Sequence, residues 1–304
     1  MTMIIRDFRP SDAEAAAASY SAGRPHLVMS PAAVRHLVET ASPEQHYRLL
    51  VGEADGRVVA TGRVGLHAAS STKGQGFANI SVLPEARGRG VATAMLAVAE
   101  RHLAEHGATV IRAWVDDEPS AMAFAEKRGY RRGRSGQFAH LALTAGLPPV
   151  PAVPEGVELA TAADFLDDPY PLYRVDVDGT LDEPGDVDLD DYSYEDWLAE
   201  VWERPDLDRD LTTVVLVDGV PAAFSAVQTD GGTRYWSAFT TTAAAHRGRG
   251  LATLAKTDSL HRALARGLTD AYTSNDTTNV PMLAVNERLG YRRCAGEWSY
   301  TKDV

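Results

Sequence analysis

A single cysteine, Cys294, stands among 304 residues. That scarcity excludes a disulfide framework and any cysteine-based zinc site. It also sets the expectation of a reducing, cytoplasmic home. No run approaches the roughly 20 apolar residues needed to cross a bilayer. The start, Met1 to Asp7, has no long apolar core and meets an acid at once, so it does not read as a signal peptide. Basic residues are in deficit, with 30 Lys and Arg against 42 Asp and Glu, a net charge of −12. A chain this acidic is poorly suited to nucleic acid, whose phosphates call for clustered Lys and Arg. It is better suited to cationic small molecules or basic peptides. The 44% hydrophobic and 24% charged composition is that of a globular protein, and the length fits two domains of about 150 residues.

The acid is concentrated. Residues 164–210 hold 18 Asp and Glu against Arg174, Arg204 and Arg209, so the rest of the chain is close to neutral. A charge run is commonly a solvated face. This one also carries a helix signal, with Ser193 as cap and Asp196 three residues on. Tyr194, Trp197, Leu198, Val201 and Trp202 then recur at helical spacing. The segment reads as a folded acidic wall or lid with an amphipathic helix. Trp197, Trp202 and Trp236 suit core packing better than a pocket lining.

The chain repeats itself. Arg87-Gly88-Arg89-Gly90 recurs 160 residues on as Arg247-Gly248-Arg249-Gly250, and Gly129-Tyr130 recurs 161 residues on as Gly290-Tyr291. A hairpin signal at Asp55-Gly56 returns at Asp218-Gly219. Ser11 to Glu14 reads as a capping box and Thr161 to Asp164 as a related cap. A tandem duplication follows: a domain over 1–146, a proline-rich linker over 147–156 and a domain over 157–304. Four prolines lie within 147–154, which makes the joint short and stiff. Each half reads as strand, one or two helices, hairpin, central strand, glycine loop, helix, strand, helix and final strand. The central strands fall near 78–82 and 235–242. The helices after the loops span Val91–Glu105 and 251–266, and the next strands lie near 110–115 and 270–273.

A strand, then Arg-Gly-Arg-Gly, then a helix is a phosphate cradle. Glycine allows the sharp turn and close approach. The unpaired N–H groups of the first helical turn and the helix dipole favour a polyanion, and the arginines add charge-assisted bonds. The spacing fits neither G-x-G-x-x-G nor the P-loop.

On these residues the chain resembles the GCN5-related N-acetyltransferase (GNAT) superfamily. Its pyrophosphate-loop signature, Arg/Gln-x-x-Gly-x-Gly/Ala, is complete in Arg87, Gly88, Arg89, Gly90, Val91, Ala92 and again in Arg247, Gly248, Arg249, Gly250, Leu251, Ala252. A later motif matches in the second half as Asn279, Met282, Val285, Gly290 and Tyr291. It matches partly in the first as Ala121, Phe124, Gly129 and Tyr130, with Glu118 in place of Asn. The layout is similar to tandem acetyltransferases of the actinomycete type. The resemblance implies an α/β fold of two tandem domains, each a mixed, mostly antiparallel sheet flanked by helices. It implies an N-acetyltransferase that takes acetyl from acetyl-CoA. The nine histidines are scattered without ligand spacing, so no metal is expected.

The resemblance further implies that both loops bind the coenzyme diphosphate and that its pantetheine lies along 80–82 and 240–242. Val82, Thr240, Thr242 and Asn279 then join the cofactor-binding residues. A strand N–H polarises the thioester carbonyl, and a base takes the proton of the acceptor ammonium. Thr241 and Asn286 are the candidate catalytic positions. Asp276, Glu297 and the acids of 164–210 are candidate bases. The family's usual acid, a tyrosine seven residues after the motif Asn, is replaced by Ala125 in one half and Asn286 in the other. A coenzyme A thiolate leaves well enough to do without it. The retained Asn279 and the acidic segment point to the C-terminal half as the working one. The expected acceptor is a primary amine on a cationic small molecule: an aminoglycoside- or peptide-like antibiotic, or a polyamine. Transfer to protein lysines or N-termini, and a silent acyl-CoA-binding module, are the alternatives. The expected assembly is a monomer or homodimer without nucleic-acid or membrane partners.

Overall fold

The computed structural model describes residues 3–180 and 192–304, and within them the chain forms two compact units. The first holds residues 3–136 and 295–304, the second 137–180 and 192–294. Part of the acidic window, 181–191, lies outside the described residues.

In the first unit, strand β1 (Met3–Asp7) is followed by helices α1 (Ala13–Ser21) and α2 (Pro31–Glu39). Strands β2 (Arg48–Ala54), β3 (Arg57–Leu66) and β4 (Gln75–Val82) come next, then α3 (Val91–Glu105), β5 (Val110–Asp116) and α4 (Pro119–Glu126). The sheet runs β1-β2-β3-β4-β5 and is antiparallel except for the parallel β4/β5 pair. Asp55 and Gly56 turn the β2–β3 hairpin with φ of 48° and 79°, the left-handed pair that matches strand twist. Val91, Met95, Ala99 and Leu103 recur every four residues along α3 and are buried with Leu50, Val64, Ala78 and Ile111. Burial of each large apolar side chain stabilises by about 1.5–3 kcal/mol. The cap expected of Ser11 to Glu14 is made differently: Asp12 accepts from the Arg9 N–H at 2.8 Å and pairs with Arg6 at 2.7 Å.

The second unit repeats the plan with β7 (Val157–Thr161), α5 (Tyr170–Thr180), α6 (Tyr194–Trp197) extended by a π-helical turn, β8 (Thr213–Val217), β9 (Val220–Thr229), β10 (Arg234–Thr242), α7 (Leu251–Ala265), β11 (Asp270–Asp276) and α8 (Val280–Leu289). Here β10 and β11 are the parallel pair. Ser193 and Asp196 form the expected capping box, and Trp197 and Trp202 are buried in the core beneath it. The Thr161–Asp164 box forms as well.

The ends of the two halves are exchanged. β6 (Arg131–Ala142) and β12 (Arg292–Asp303) each follow a Gly-Tyr pair. The close of β6 supplies Ala139 and Leu141 to the core of the second unit. Residues 295–303 of β12 pair antiparallel with β5 of the first, Glu297 opposite Asp116 through Asp303 opposite Val110. The sequence reading instead kept each final strand within its own half.

Candidate functional site

Both arginine–glycine corners fold alike. Gly88 and Gly90 adopt φ of 72° and 85°, and Gly248 and Gly250 76° and 78°. A Cβ at any of the four would meet nothing within 4 Å, so glycine answers to backbone conformation here and leaves open space in front of the turn. Gly90 and Gly250 are N-caps without side-chain caps, and the first helical bonds are Ala94 N–H to Gly90 O and Leu254 N–H to Gly250 O. The N–H groups before them have no acceptor within the helix. Arg87 and Arg247 each donate to the last carbonyl of the preceding strand, Val82 and Thr242, at 3.2 Å. Arg249 also donates to His246 at 2.9 Å.

Beyond the corners the halves diverge. In the first unit β4 and β5 pair only over Gln75–Phe77 and Val110–Arg112, then splay, with Asn79 Oδ1 accepting from the Trp114 N–H across the gap at 2.8 Å. The splay opens a cavity of about 590 Å³ on the first loop. Its walls are apolar and small where a slender arm would lie: Ile80, Val82, Leu96, Ala113, Val115 and Ala125. Arg87, Gly88, Gly90, Val91 and Ala92 line one end. Arg24, Ser81 and Asp116 line the cavity as well, with Arg24 pairing with Asp116 at 3.2 Å and donating to Ser81 Oγ. Glu118 sits at the rim and pairs with Arg87 at 3.7 Å.

In the second unit the matching positions are polar and bonded to each other. Thr273 Oγ1 donates to Ser237 O at 3.3 Å, and Asn286 Nδ2 donates to Asn275 Oδ1 at 2.6 Å, tying α8 to β11. Lys256, the sixth residue of α7, holds the place of Leu96 in α3. It is buried, over the Tyr291 ring at 5.0 Å, and burial pushes its ammonium down to about 7. Thr241 is buried against α5, where Gly179 leaves just enough room for it. Thr240 bonds Ser225 at 3.0 Å, and Asn279 caps α8 through the Met282 N–H at 3.3 Å. A second cavity of about 230 Å³ lies between α8, β11 and β6 and is lined by Asn275 and Asn286 rather than by the second loop. The C-terminal residues singled out in the sequence are therefore divided between the second corner, a packed strand and this smaller recess.

Of the candidate bases, Asp276 caps its own turn, accepting from the Thr278 N–H at 2.7 Å. Glu297 is different. Half-buried opposite Asp116, its carboxyl is pushed up to about 7 by burial and by the Asp116 charge, against the pull of Arg24 and Arg134. His26, buried nearby, is pushed down to about 4 by burial and is neutral at pH 7. Sequence reasoning missed Arg24 and Asp116, and reached Ser81 only as part of the segment 80–82. The one available signal was that Ser81 and Asp116 stand at the carboxyl ends of parallel strands, where ligands of α/β sheets gather.

Solved structures share this fold over nearly the whole chain. A tandem GNAT protein from the clavulanic acid biosynthesis pathway is 21% identical, covering 99% of this chain and 98% of that one with a TM-score of 0.75. A GCN5-related N-acetyltransferase from Sphaerobacter thermophilus is 20% identical, covering 99% and 95%, with a TM-score of 0.71. No curated protein matches the sequence. The model of the acetyltransferase (GNAT) family matches residues 17–130 and again 170–291. The chain thus belongs to the acetyltransferase (GNAT) family, as a tandem of two such segments, and is an acetyltransferase.

Proposed function

We propose that the protein transfers acetyl from acetyl-CoA to a primary amine, and that the N-terminal unit does the work. The observation that carries this reading is one cavity lined by the Arg87–Gly90 corner, by the small apolar residues of the splayed strands and by Asp116. The corner suits a diphosphate: unpaired helix N–H groups, open space before two left-handed glycines and a nearby guanidinium. Ala113, Val115 and Ala125 leave room for a pantetheine arm, where the second unit has Thr273, Asn275 and Asn286. Bound acetyl-CoA supplies an activated acyl group and a thiolate that leaves readily. The chain's part is to hold, orient and deprotonate. Glu297 is the general base: a carboxyl poised near pH 7 takes the proton from the acceptor ammonium, directly or through a water beside Asp116. The Arg24–Asp116 pair fixes Ser81 and the approach to it. Close placement of amine and acyl carbon contributes much of the rate.

The cationic acceptor expected from the acidic window rests on charges whose described part, 164–180 and 192–210, belongs to the second unit. The channel of the first unit has a different electrostatic lining.

Calorimetric titration with acetyl-CoA tests the reading. Gly90→Asp keeps a residue type that tolerates left-handed backbone, as Asp55 and Asp218 do here, and places a carboxylate where the diphosphate would sit. It should weaken binding by about 100-fold, while Gly250→Asp leaves it within about twofold. The reverse pattern would assign the donor to the second corner. No binding by the unaltered protein at millimolar acetyl-CoA would reject the function.

A further inference from the structure

The face of the first sheet turned toward α1 carries guanidinium groups that have no carboxylate partner among the described residues. Directly opposed residues of antiparallel strands share a face, so Thr61 with Ser81 and Arg63 with Asn79 make two successive rungs. Thr61 meets Ser19 of α1, which fixes this face as the α1 side. Arg63 lies beside the hydroxyls of Tyr20 and Tyr47. Its Nε is shielded from solvent without a hydrogen-bond partner. Arg112, on β5, donates to Gln75 Oε1 at 2.8 Å, and its Nε is likewise buried without a partner. His67 is held low by burial and by the Arg112 charge. Among the described residues neither guanidinium has a carboxylate partner.

A guanidinium keeps its charge at any physiological pH, and each of these two, on a partly buried residue, keeps a shielded Nε with no acceptor. Structural arginines resolve that with an acid, as Arg6 does with Asp12. Arg63 and Arg112 do not. Arg63 is linked to the channel lining through Tyr20, which lies both beside Arg63 and under the guanidinium of Arg24, at 5.7 Å. Arg24 in turn holds Ser81 and Asp116, which line the channel.

We propose that the acceptor is an amine bearing an anionic group, seated on Arg63 and Arg112 with its nitrogen directed toward Asp116 and Glu297. The proposal rests on the reading that the first unit is the acetylating one, and it names the acceptor class. Arg112 and Asp116 stand four residues apart on β5, about 13 Å, a span that the reach of the arginine side chain shortens to that of a chain of a few carbons.

Three probes of matched length test it: 5-aminopentanoate, pentylamine and 1,5-diaminopentane, titrated calorimetrically into the full chain saturated with CoA. The carboxylate-bearing amine should bind at least about tenfold tighter than the other two. That preference should collapse to within about twofold in Arg63→Met and survive in part in Arg63→Lys, which keeps the charge and loses the fork. Arg112→Met should reduce it in the same direction. Without ligand, Arg63→Met should melt close to the unaltered protein, since no ion pair is lost; an arginine with only a structural role would lower the melting point. Equal binding of the three probes, absence of saturable binding of 5-aminopentanoate, or a preference that survives both methionine variants overturns the proposal. CoA release, measured in parallel with acetyl-CoA, separates the two levels. Anion preference without acetyl transfer by any amine leaves the site standing and rejects the acetylating role of the unit. Transfer that favours pentylamine or the diamine does the opposite.

Discussion

Two single residues carry charge where the fold disfavours it. Glu297, pushed up to about 7, holds a proton in the folded state that it would lose in the unfolded chain between its ordinary value and 7. Stability should therefore fall as pH rises through that window. Glu297→Gln should raise the melting point at pH 8 by roughly 2–4 °C and leave it unchanged near pH 4. The same substitution should lower kcat about 100-fold or more and abolish the rise of kcat/KM with pH through about 7. An unaltered pH–rate profile would remove Glu297 from the base's role. Lys256 has the opposite sign. With its folded value lowered to about 7, the penalty of burying its charge is fully present below 7 and fades as pH rises toward its ordinary value. Lys256→Met should stabilise by on the order of 4 kcal/mol at pH 6, with a much smaller gain at pH 10, in denaturant unfolding. Neither residue was legible beyond its type. Glu297 was one acid among many, because nothing near it in sequence says that Asp116 lies across the strand. Lys256 reads in sequence as an ordinary solvated helix position.

The elements were far more legible, because their signals are local. Apolar residues every three or four positions gave α3 and α7 nearly to their ends, and the Asp-Gly turns gave both hairpins. The two corners were legible because glycine with positive φ before a helix is a backbone requirement written in the residue type. Which corner opens onto a channel was not, since that depends on Ala113, Val115 and Ala125 facing Leu96 in one unit and on Asn275 meeting Asn286 in the other. Glu118 replaces the expected Asn, and its carboxylate competes for Arg87 at 3.7 Å. Both side chains are about half exposed, so the pair is weak. Glu118→Gln should tighten acetyl-CoA binding about threefold, with the gain shrinking in high salt on calorimetric titration. In the second unit Asn279 acts as a helix cap. Asn279→Ala should cost about 1 kcal/mol in denaturant unfolding and leave acetyl-CoA binding unchanged. A loss of binding would return the second corner to consideration.

At the scale of the whole molecule the duplication was visible and the exchange of final strands was not. β6 and β12 follow the same Gly-Tyr pair and have the same length, so nothing local tells one unit's strand from the other's. What decides is packing. Tyr300 of β12 is fully buried in the first core, its hydroxyl donates to Glu126 at 3.1 Å, and Lys302 pairs with Glu100 at 2.8 Å. Gly133 and Gly136 give way to Ser299 and Glu297, where a Cβ would come within 2.6 and 3.3 Å. A cut in the proline-rich joint, natural as it looks in sequence, would strip β12 from the first core and the close of β6 from the second. A chain of residues 1–146 should therefore unfold without a cooperative transition and fail to bind acetyl-CoA. A peptide of residues 292–304 added in trans, or joined behind residue 136 by a flexible linker, should restore both, because it returns the strand opposite β5 together with Glu297. If the 1–146 chain folds and binds unaided, the last strand is an accessory of the first unit, and the base must be sought within residues 3–136.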